Sequence, residues 1–406
     1  MYLTREEEMM LDGEFGEWIS KAIKLLIRIG ELNNAERFIK IRRAHISGVS
    51  YKTAGDAIIE LLDDMIEAGV GITIHATLNP AGMDLENWRK MGVPEEFALK
   101  QKRIIDGFTR IGIIPSLTCA PYFFENRPNF GEIVAFSESS AVVFVNSILG
   151  ARTNRHGSLD ALAAAITSRV PLYGFHLTEN RKANILAIVK NDEFMESHYG
   201  LLGLYIGRQL KPSEIPAFMF NKKPNLTGLR LLGAAMAASG ALSMFHAIGI
   251  TPEAKTLEKA FSDNNYEKLI VAREEIKSIE EEFFKQDLDE LEAVFIGCPH
   301  ASLDELKEIA MFIRGKKIRN DVKLWIFTSR YILKQAGNLG LVDKIEEAGG
   351  SVFADTCMVV APIEVLGIKR IGTNSSKAAW YLPRFADGKI DVTVSPLKNL
   401  LHAILQ

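Results

Sequence analysis

Three cysteines, Cys119, Cys298 and Cys357, are the residues whose placement points most directly to chemistry. Each follows a strand-like apolar run. Ile113-Ile114-Pro115-Ser116-Leu117-Thr118 delivers Cys119, Ala293-Val294-Phe295-Ile296-Gly297 delivers Cys298, and Ser351-Val352-Phe353-Ala354-Asp355 leads through Thr356 to Cys357. In α/β proteins, ligands gather outside the carboxyl ends of strands. A single cysteine is usually a small buried hydrophobe, but three at strand ends raise the case for a shared role. They are too few and too far apart for a disulfide scaffold. No CxxC pair exists, which argues against structural zinc. Three thiolates suit a [4Fe-4S] cluster with one iron free of protein ligands, able to act as a Lewis acid on a hydroxyl and a carboxylate. The spacing is compatible with such a cluster without establishing it.

Other polar loops sit at comparable places. Gly48-Val49-Ser50 opens a helical stretch, where backbone N–H groups can hold an anion, or where Ser50 is an ordinary cap. Asn79-Pro80-Ala81-Gly82 closes a β-like run at 72–77 and reads either as a turn or as a second loop on the same edge. Glu138 stands between Ser137 and Ser139, as a site acceptor or a cap. Lys377 can pair with a carboxylate or phosphate, or be a solvated loop lysine; Arg152 and Arg155 carry the same two readings. His75, His156 and His300 lie near strand ends, where a structural role is the simpler reading. No GxGxxG is present, and Gly107 to Gly112 lacks the Lys-Ser/Thr of a P-loop. GxSxG and HExxH are absent too.

The elements that must position these residues follow from periodicity. Helices are predicted at 4–30, 51–69, 95–110, 158–168 and 229–240, with strands at 72–77, 113–118, 131–136 and 141–145. The stretch 173–221 is mixed. Residues 253–292 read as one charged amphipathic helix with Leu269, Ile276, Ile279 and Phe283 on a face. Strands at 293–297, 323–328 and 351–355 alternate with helices at 302–314 and 330–348. This βαβαβ pattern implies a parallel sheet with right-handed crossovers, so Cys298 and Cys357 share its carboxyl edge. The fold class expected is α/β and multi-domain, with parallel sheets flanked by helices. Its parts would be an N-terminal α/β region over 1–285, a βαβαβ domain over 286–385, and a C-terminal segment over 386–406.

A chain of 406 residues with 47% hydrophobic and 24% charged residues has the composition of a globular protein with a large core. A net charge of −3 gives no reason to expect nucleic acid or an anionic membrane as partner. No apolar run reaches the ~18 residues of a membrane span, and the acidic start lacks a signal peptide's apolar core. A cytoplasmic location is expected.

Several segments together resemble the aconitase X family: His45 to Ser50, Thr77 to Gly82, Thr118 to Tyr122, Glu138-Ser139-Ser140, Asn146 to Asn154, Gly297-Cys298-Pro299-His300, Asp355-Thr356-Cys357 and Thr373 to Lys377. The resemblance covers nearly the whole chain. It implies an aconitase-like fold with a cluster site at strand carboxyl ends between domains, and a [4Fe-4S] cluster on Cys119, Cys298 and Cys357. It implies a substrate pocket lined by Gly48, Val49, Ser50, Asn79, Pro80, Glu138, Ser139 and Lys377. The activity implied is dehydration of a phosphorylated hydroxy acid, (R)-5-phosphomevalonate, to trans-anhydromevalonate phosphate in a variant mevalonate route to isoprenoids. Bacterial members fuse a small swivelling domain to this chain. The sequence stops at Gln406 without one, so a separately encoded small subunit is expected as partner, carrying the catalytic base. Dehydration of cis-3-hydroxy-L-proline, a non-catalytic scaffold subunit and a cysteine-nucleophile hydrolase are the alternatives.

Overall fold

The computed structural model of the protein describes residues 1–190, 192–263, 265–284 and 287–406. In the C-terminal third, five parallel strands lie in the order Ser351–Phe353, Lys323–Phe327, Ala293–Ile296, Arg370–Thr373, Asp391–Val394. Both faces are covered. Val294, Ile296, Leu324, Ile326 and Val352 belong to one core, while Phe295, Trp325, Phe327 and Phe353 point into another. That two-sided burial explains why the strands read as unbroken apolar runs. The chain winds outward from Ala293–Ile296 on one side, then returns to its other side at Arg370–Thr373. The switch point between those strands is where such sheets bind ligands. The loop after the first holds Cys298, and the helix Ser376–Phe385 that follows the second carries Lys377 in its first turn.

A three-stranded parallel sheet in the N-terminal region repeats the plan, in the order His75–Leu78, Arg43–Ile46, Ala135–Phe136. Its central strand is again the first in sequence, so its switch point lies beside the loops after residues 46 and 136. Between the two sheets in sequence is a four-stranded parallel sheet, His246–Ala247, Pro216–Phe220, Ile185–Val189, Glu267–Val271. Its helices Glu196–Gln209 and Leu226–Gly240 pack at backbone distance: a Cβ on Gly203 would strike the Leu232 carbonyl. A short antiparallel pair, Phe38–Lys40 with Arg169–Pro171, completes the sheets of the described residues.

The α/β, multi-domain expectation holds, and several element assignments change. Residues 141–145 are helical, not a strand: Ser139–Phe144 forms an α-helix that continues as a π-helix over Val145–Leu149. Glu138 caps it, accepting the Ala141 N–H at 2.6 Å, and Ala141 to Val145 are buried all round, so no amphipathic period is visible. The single helix expected over 253–292 contains the strand Glu267–Val271, followed by the helix Arg273–Phe283. Leu269 lies on that strand. The run at 113–118 contributes only a bridge between Thr77 and Ile114. The long helices expected at 4–30, 51–69 and 330–348 each break near a left-handed glycine: Gly13, Gly55 and Gly340. The domain border drawn between 285 and 286 falls on residues outside the described set, and Asp391–Val394 pairs with Arg370–Thr373 in the C-terminal sheet.

Candidate active site

The carboxyl edges of the first and last sheets meet at a cavity of 280 Å3, and all three cysteines line it. Cys298 reaches it because Gly297 turns the chain at φ +107, hard against the Phe327 carbonyl, where a Cβ would not fit. The Ser375 hydroxyl donates to the Cys298 carbonyl, tying the loops at the C-terminal switch point together. Cys357 is held by its own carbonyl, which accepts the N–H groups of Val360 at 3.3 Å and Ala361 at 3.0 Å. Cys119 arrives from the N-terminal region. All three are free and buried. Burial pushes every one of these thiols up: Cys119 well above its ordinary value, Cys298 to about 12, and Cys357 in the same direction.

Glu138 and Lys377 form an ion pair on the same wall. Burial opposes the charge of Glu138. Lys377, the Ser140 hydroxyl at 2.7 Å and the Ala141 N–H outweigh that and hold its carboxyl below the usual range. Burial likewise opposes the charge of Lys377. Glu138 outweighs it and holds the ammonium above the ordinary lysine value. Both remain charged at neutral pH.

Asn79, Pro80, Glu138, Ser139 and Lys377 line the cavity, as the sequence suggested, but Gly48, Val49 and Ser50 do not; Ser47 does. Ser50 caps a single turn, Tyr51–Ala54, and gives its hydroxyl to the Val360 carbonyl at 2.8 Å. Among the described residues, the N–H groups of Gly48, Val49 and Ser50 find no acceptor in the chain. Arg155 lines the cavity, whereas Arg152 turns away to the His176 carbonyl. Arg155 donates to the Ala237 carbonyl at 2.9 Å and pairs with no carboxylate among the described residues. Its loop lies against the Ser47 turn, with the Ser47 and Ser158 hydroxyls 3.1 Å apart.

His75 sits at the opposite end of its strand, bound to the Glu125 carbonyl at 2.7 Å, and His156 faces Asp160. His300 is buried beside the cysteines, and burial lowers its ring to about 4, so it is neutral. Sequence reasoning missed Ser137, Val359, Val360, Tyr381 and Phe385 on the cavity wall. Tyr381 and Phe385 stand four and eight residues after Lys377, one helical face, a signal the sequence did contain.

Among the described residues no three His, Cys, Asp or Glu side chains close on a single ion. Three buried, neutral sulfur donors around a shared cavity are instead suited to a group larger than one ion. Deprotonating three buried thiols requires a cationic metal centre beside them, since isolated buried charge is prohibitive. The donor set therefore fits an iron–sulfur cluster.

Two parallel sheets whose carboxyl edges bring three cysteine loops to one cavity define the class, and the chain belongs to the aconitase X family. Its first, second and third domains match over residues 1–179, 183–281 and 291–405. At 45% identity it is similar to the phosphomevalonate dehydratase large subunit of Methanocaldococcus jannaschii, covering 99% of both chains. The same-named protein of Methanothermobacter thermautotrophicus is 46% identical over 99% of this chain and 98% of that one. The cis-3-hydroxy-L-proline dehydratase of Pseudomonas aeruginosa is 33% identical, over 93% of this chain and 66% of that protein. The crystal structure of Thermococcus kodakaraensis aconitase X in its holo-form superposes with a TM-score of 0.91 at 41% identity, covering 99% of each chain.

Proposed function

We propose that this chain is the large subunit of a cytoplasmic hydro-lyase that dehydrates (R)-5-phosphomevalonate to trans-anhydromevalonate 5-phosphate, in a modified mevalonate route to isoprenoids. The observation that carries the reading is the convergence of three buried cysteines, from three separate segments, on the cavity that also holds the Glu138–Lys377 pair. Full-length similarity to proteins named for that activity supports it over the hydroxyproline reading, whose relatives are less similar.

In this proposal Cys119, Cys298 and Cys357 hold a [4Fe-4S] cluster, which when bound supplies a Lewis acid for the departing hydroxyl. Lys377 meets the substrate carboxylate, its charge secured by Glu138. The free N–H groups of Gly48, Val49 and Ser50, with Arg155 close by, take the phosphate; Gly48 at φ +76 gives that turn the shape of a backbone anion nest. Asn79, Pro80 and Ser139 shape the remaining polar wall. Val359, Val360, Tyr381 and Phe385 keep water from the reacting carbons.

The proton at C2 needs a base, and neither ionised partner on this wall supplies a good one. Glu138 is a weakened base because its carboxyl is held low, and Lys377 keeps its proton. This supports a separately encoded small subunit that brings the base to the cavity. The large-subunit names of the relatives support that division too.

The test is anaerobic reconstitution with iron and sulfide, addition of the small subunit, and an assay for loss of water from (R)-5-phosphomevalonate beside cis-3-hydroxy-L-proline. Turnover of the phosphate ester alone is expected. Turnover of hydroxyproline alone would transfer the chain to the other dehydratase, and an iron-free inert chain would leave only a scaffold role.

A further inference from the structure

We propose that His300 is the positioning residue that locks the three cysteine segments into one register. The inference rests on the cluster reading above. All four polar groups of His300 are committed, and the residue is 1% exposed. Ring Nε2 lies 2.8 Å from the carbonyl of Thr356, the residue before Cys357. A carbonyl only accepts, so Nε2 carries the ring proton and Nδ1 is an acceptor. Nδ1 lies 3.0 Å from the hydroxyl of Thr118, the residue before Cys119. That hydroxyl already accepts the Ala120 N–H at 3.1 Å, leaving its proton for the ring. The directions of all these bonds agree with one neutral tautomer.

The backbone of His300 extends the tie. Its N–H donates to Sγ of Cys119 at 3.2 Å, and it stands two residues after Cys298. Its carbonyl accepts Nη1 of Arg230 at 2.7 Å. Arg230 is buried on the central helix Leu226–Gly240 and pairs with Glu305, whose carboxylate also accepts the Ser302 hydroxyl at 2.8 Å. One imidazole thus touches the residue before each of two ligands, and its own backbone touches a ligand sulfur. A histidine is needed because a ring presents a donor and an acceptor on two separated edges. An amide side chain of ordinary length satisfies one segment and leaves the other unbonded. Groups that orient metal ligands in this way govern how firmly the metal is held, and donors to a ligand sulfur tune a cluster's potential.

The experiment compares wild type, His300→Ala, His300→Gln and Thr118→Val with Ile345→Ala, a core residue beyond the far face of the C-terminal sheet. Each is reconstituted anaerobically. Iron and sulfide per chain, the rate at which a chelator strips the iron, and the melting temperature are then measured. Stripping is expected to accelerate about tenfold or more in His300→Ala. His300→Gln, which can still donate toward Thr356, should fall between, and Thr118→Val should accelerate it by a smaller factor. Ile345→Ala should lose melting temperature without faster stripping. Wild-type stripping rates in His300→Gln and Thr118→Val would overturn the proposal even if His300→Ala fails to fold. A tenfold effect in Ile345→Ala would overturn it too, by showing that lost stability alone loosens the iron. Wild type that takes up no iron would instead remove the cluster reading itself, and this proposal with it.

Discussion

Lys377 Nζ lies 2.5 Å from Oε1 of Glu138, and the pair joins the last domain to the first across 239 residues of sequence. Both residues are buried, so each charge persists chiefly because of the other. Removing one partner of a buried pair leaves an uncompensated charge, typically at a cost of ~3–5 kcal/mol. Lys377→Met should therefore lose stability of about that size near neutral pH by urea unfolding.

The pH window of that contribution follows from the shift directions. Glu138 is held below its ordinary 4.5, so its part is complete above 4.5 and fades as pH falls through the lowered folded value. Lys377 is held above its ordinary 10.5, so its part is complete below 10.5 and fades as pH rises through the raised value. In Lys377→Met the unpaired Glu138 can relieve itself only by taking a proton, so the deficit should shrink on acidification. A deficit independent of pH and below ~1 kcal/mol would place the pair among ordinary surface bridges.

The cysteines make a second, metal-free prediction. Burial pushes Cys298 to about 12 from an ordinary 9.0, lowering its thiolate fraction at neutral pH by about a thousandfold. The more basic thiolate recovers part of that loss in intrinsic reactivity. Iodoacetamide should therefore alkylate Cys298 of the metal-free chain at least ~tenfold more slowly than free cysteine, read residue by residue by mass spectrometry. The rate should keep climbing above pH 9, and loading with iron and sulfide should abolish it. Rapid labelling at neutral pH would favour the cysteine-nucleophile reading.

A third prediction concerns the joint that carries Cys357. Arg330 bridges Asp84 of the N-terminal region and Asp355, while Asp84 accepts the Ala354 N–H and the Asp355 carbonyl accepts the Ala81 N–H, both at 2.8 Å. The loop before Cys357 is thereby fastened to the Asn79-Pro80 turn. Arg330 is a third exposed, so water screens part of the loss in Arg330→Met, which is expected to cost ~2–3 kcal/mol. The same variant should release iron faster. An unchanged melting curve would show the joint to be held by the backbone bonds alone.

What was legible in the sequence was the topology around strands whose two faces are both buried. Ala293–Ile296 and Ser351–Phe353 run in parallel and stop at polar loops, so Cys298 and Cys357 could be placed on one edge. The helix Ser139–Phe144 was not legible, because a helix buried on every side has no polar face to set its period. Glu267–Val271 misled in the opposite sense. It is an edge strand with exposed charged and apolar residues, and its composition is that of the amphipathic helix that follows. Ser47 and Ser137 were within reach of the strand-end argument that found Asn79. Arg330 and Arg230 were not, since a long side chain that bridges two domains leaves no local pattern.

Arg155 supplies the last prediction, about which end of the substrate it meets. Arg155 lines the cavity, and its guanidinium has one hydrogen bond to a backbone carbonyl and no acidic partner among the described residues. Exposed and unpaired, it contributes little to folding, so Arg155→Leu should leave the melting temperature unchanged. A guanidinium on a phosphate makes charge-assisted, forked hydrogen bonds. Losing them should raise KM for (R)-5-phosphomevalonate by about tenfold or more, equivalent to at least ~1.4 kcal/mol, with a smaller change in kcat. Arg155→Lys should recover part of the loss, because a point charge replaces the fork. The control is inhibition by a carboxylate-bearing analogue without the phosphate, whose affinity should be the same in wild type and Arg155→Leu. If that affinity falls as far as the affinity for the ester, Arg155 faces the carboxylate. Lys377 would then be left to hold Glu138 in place.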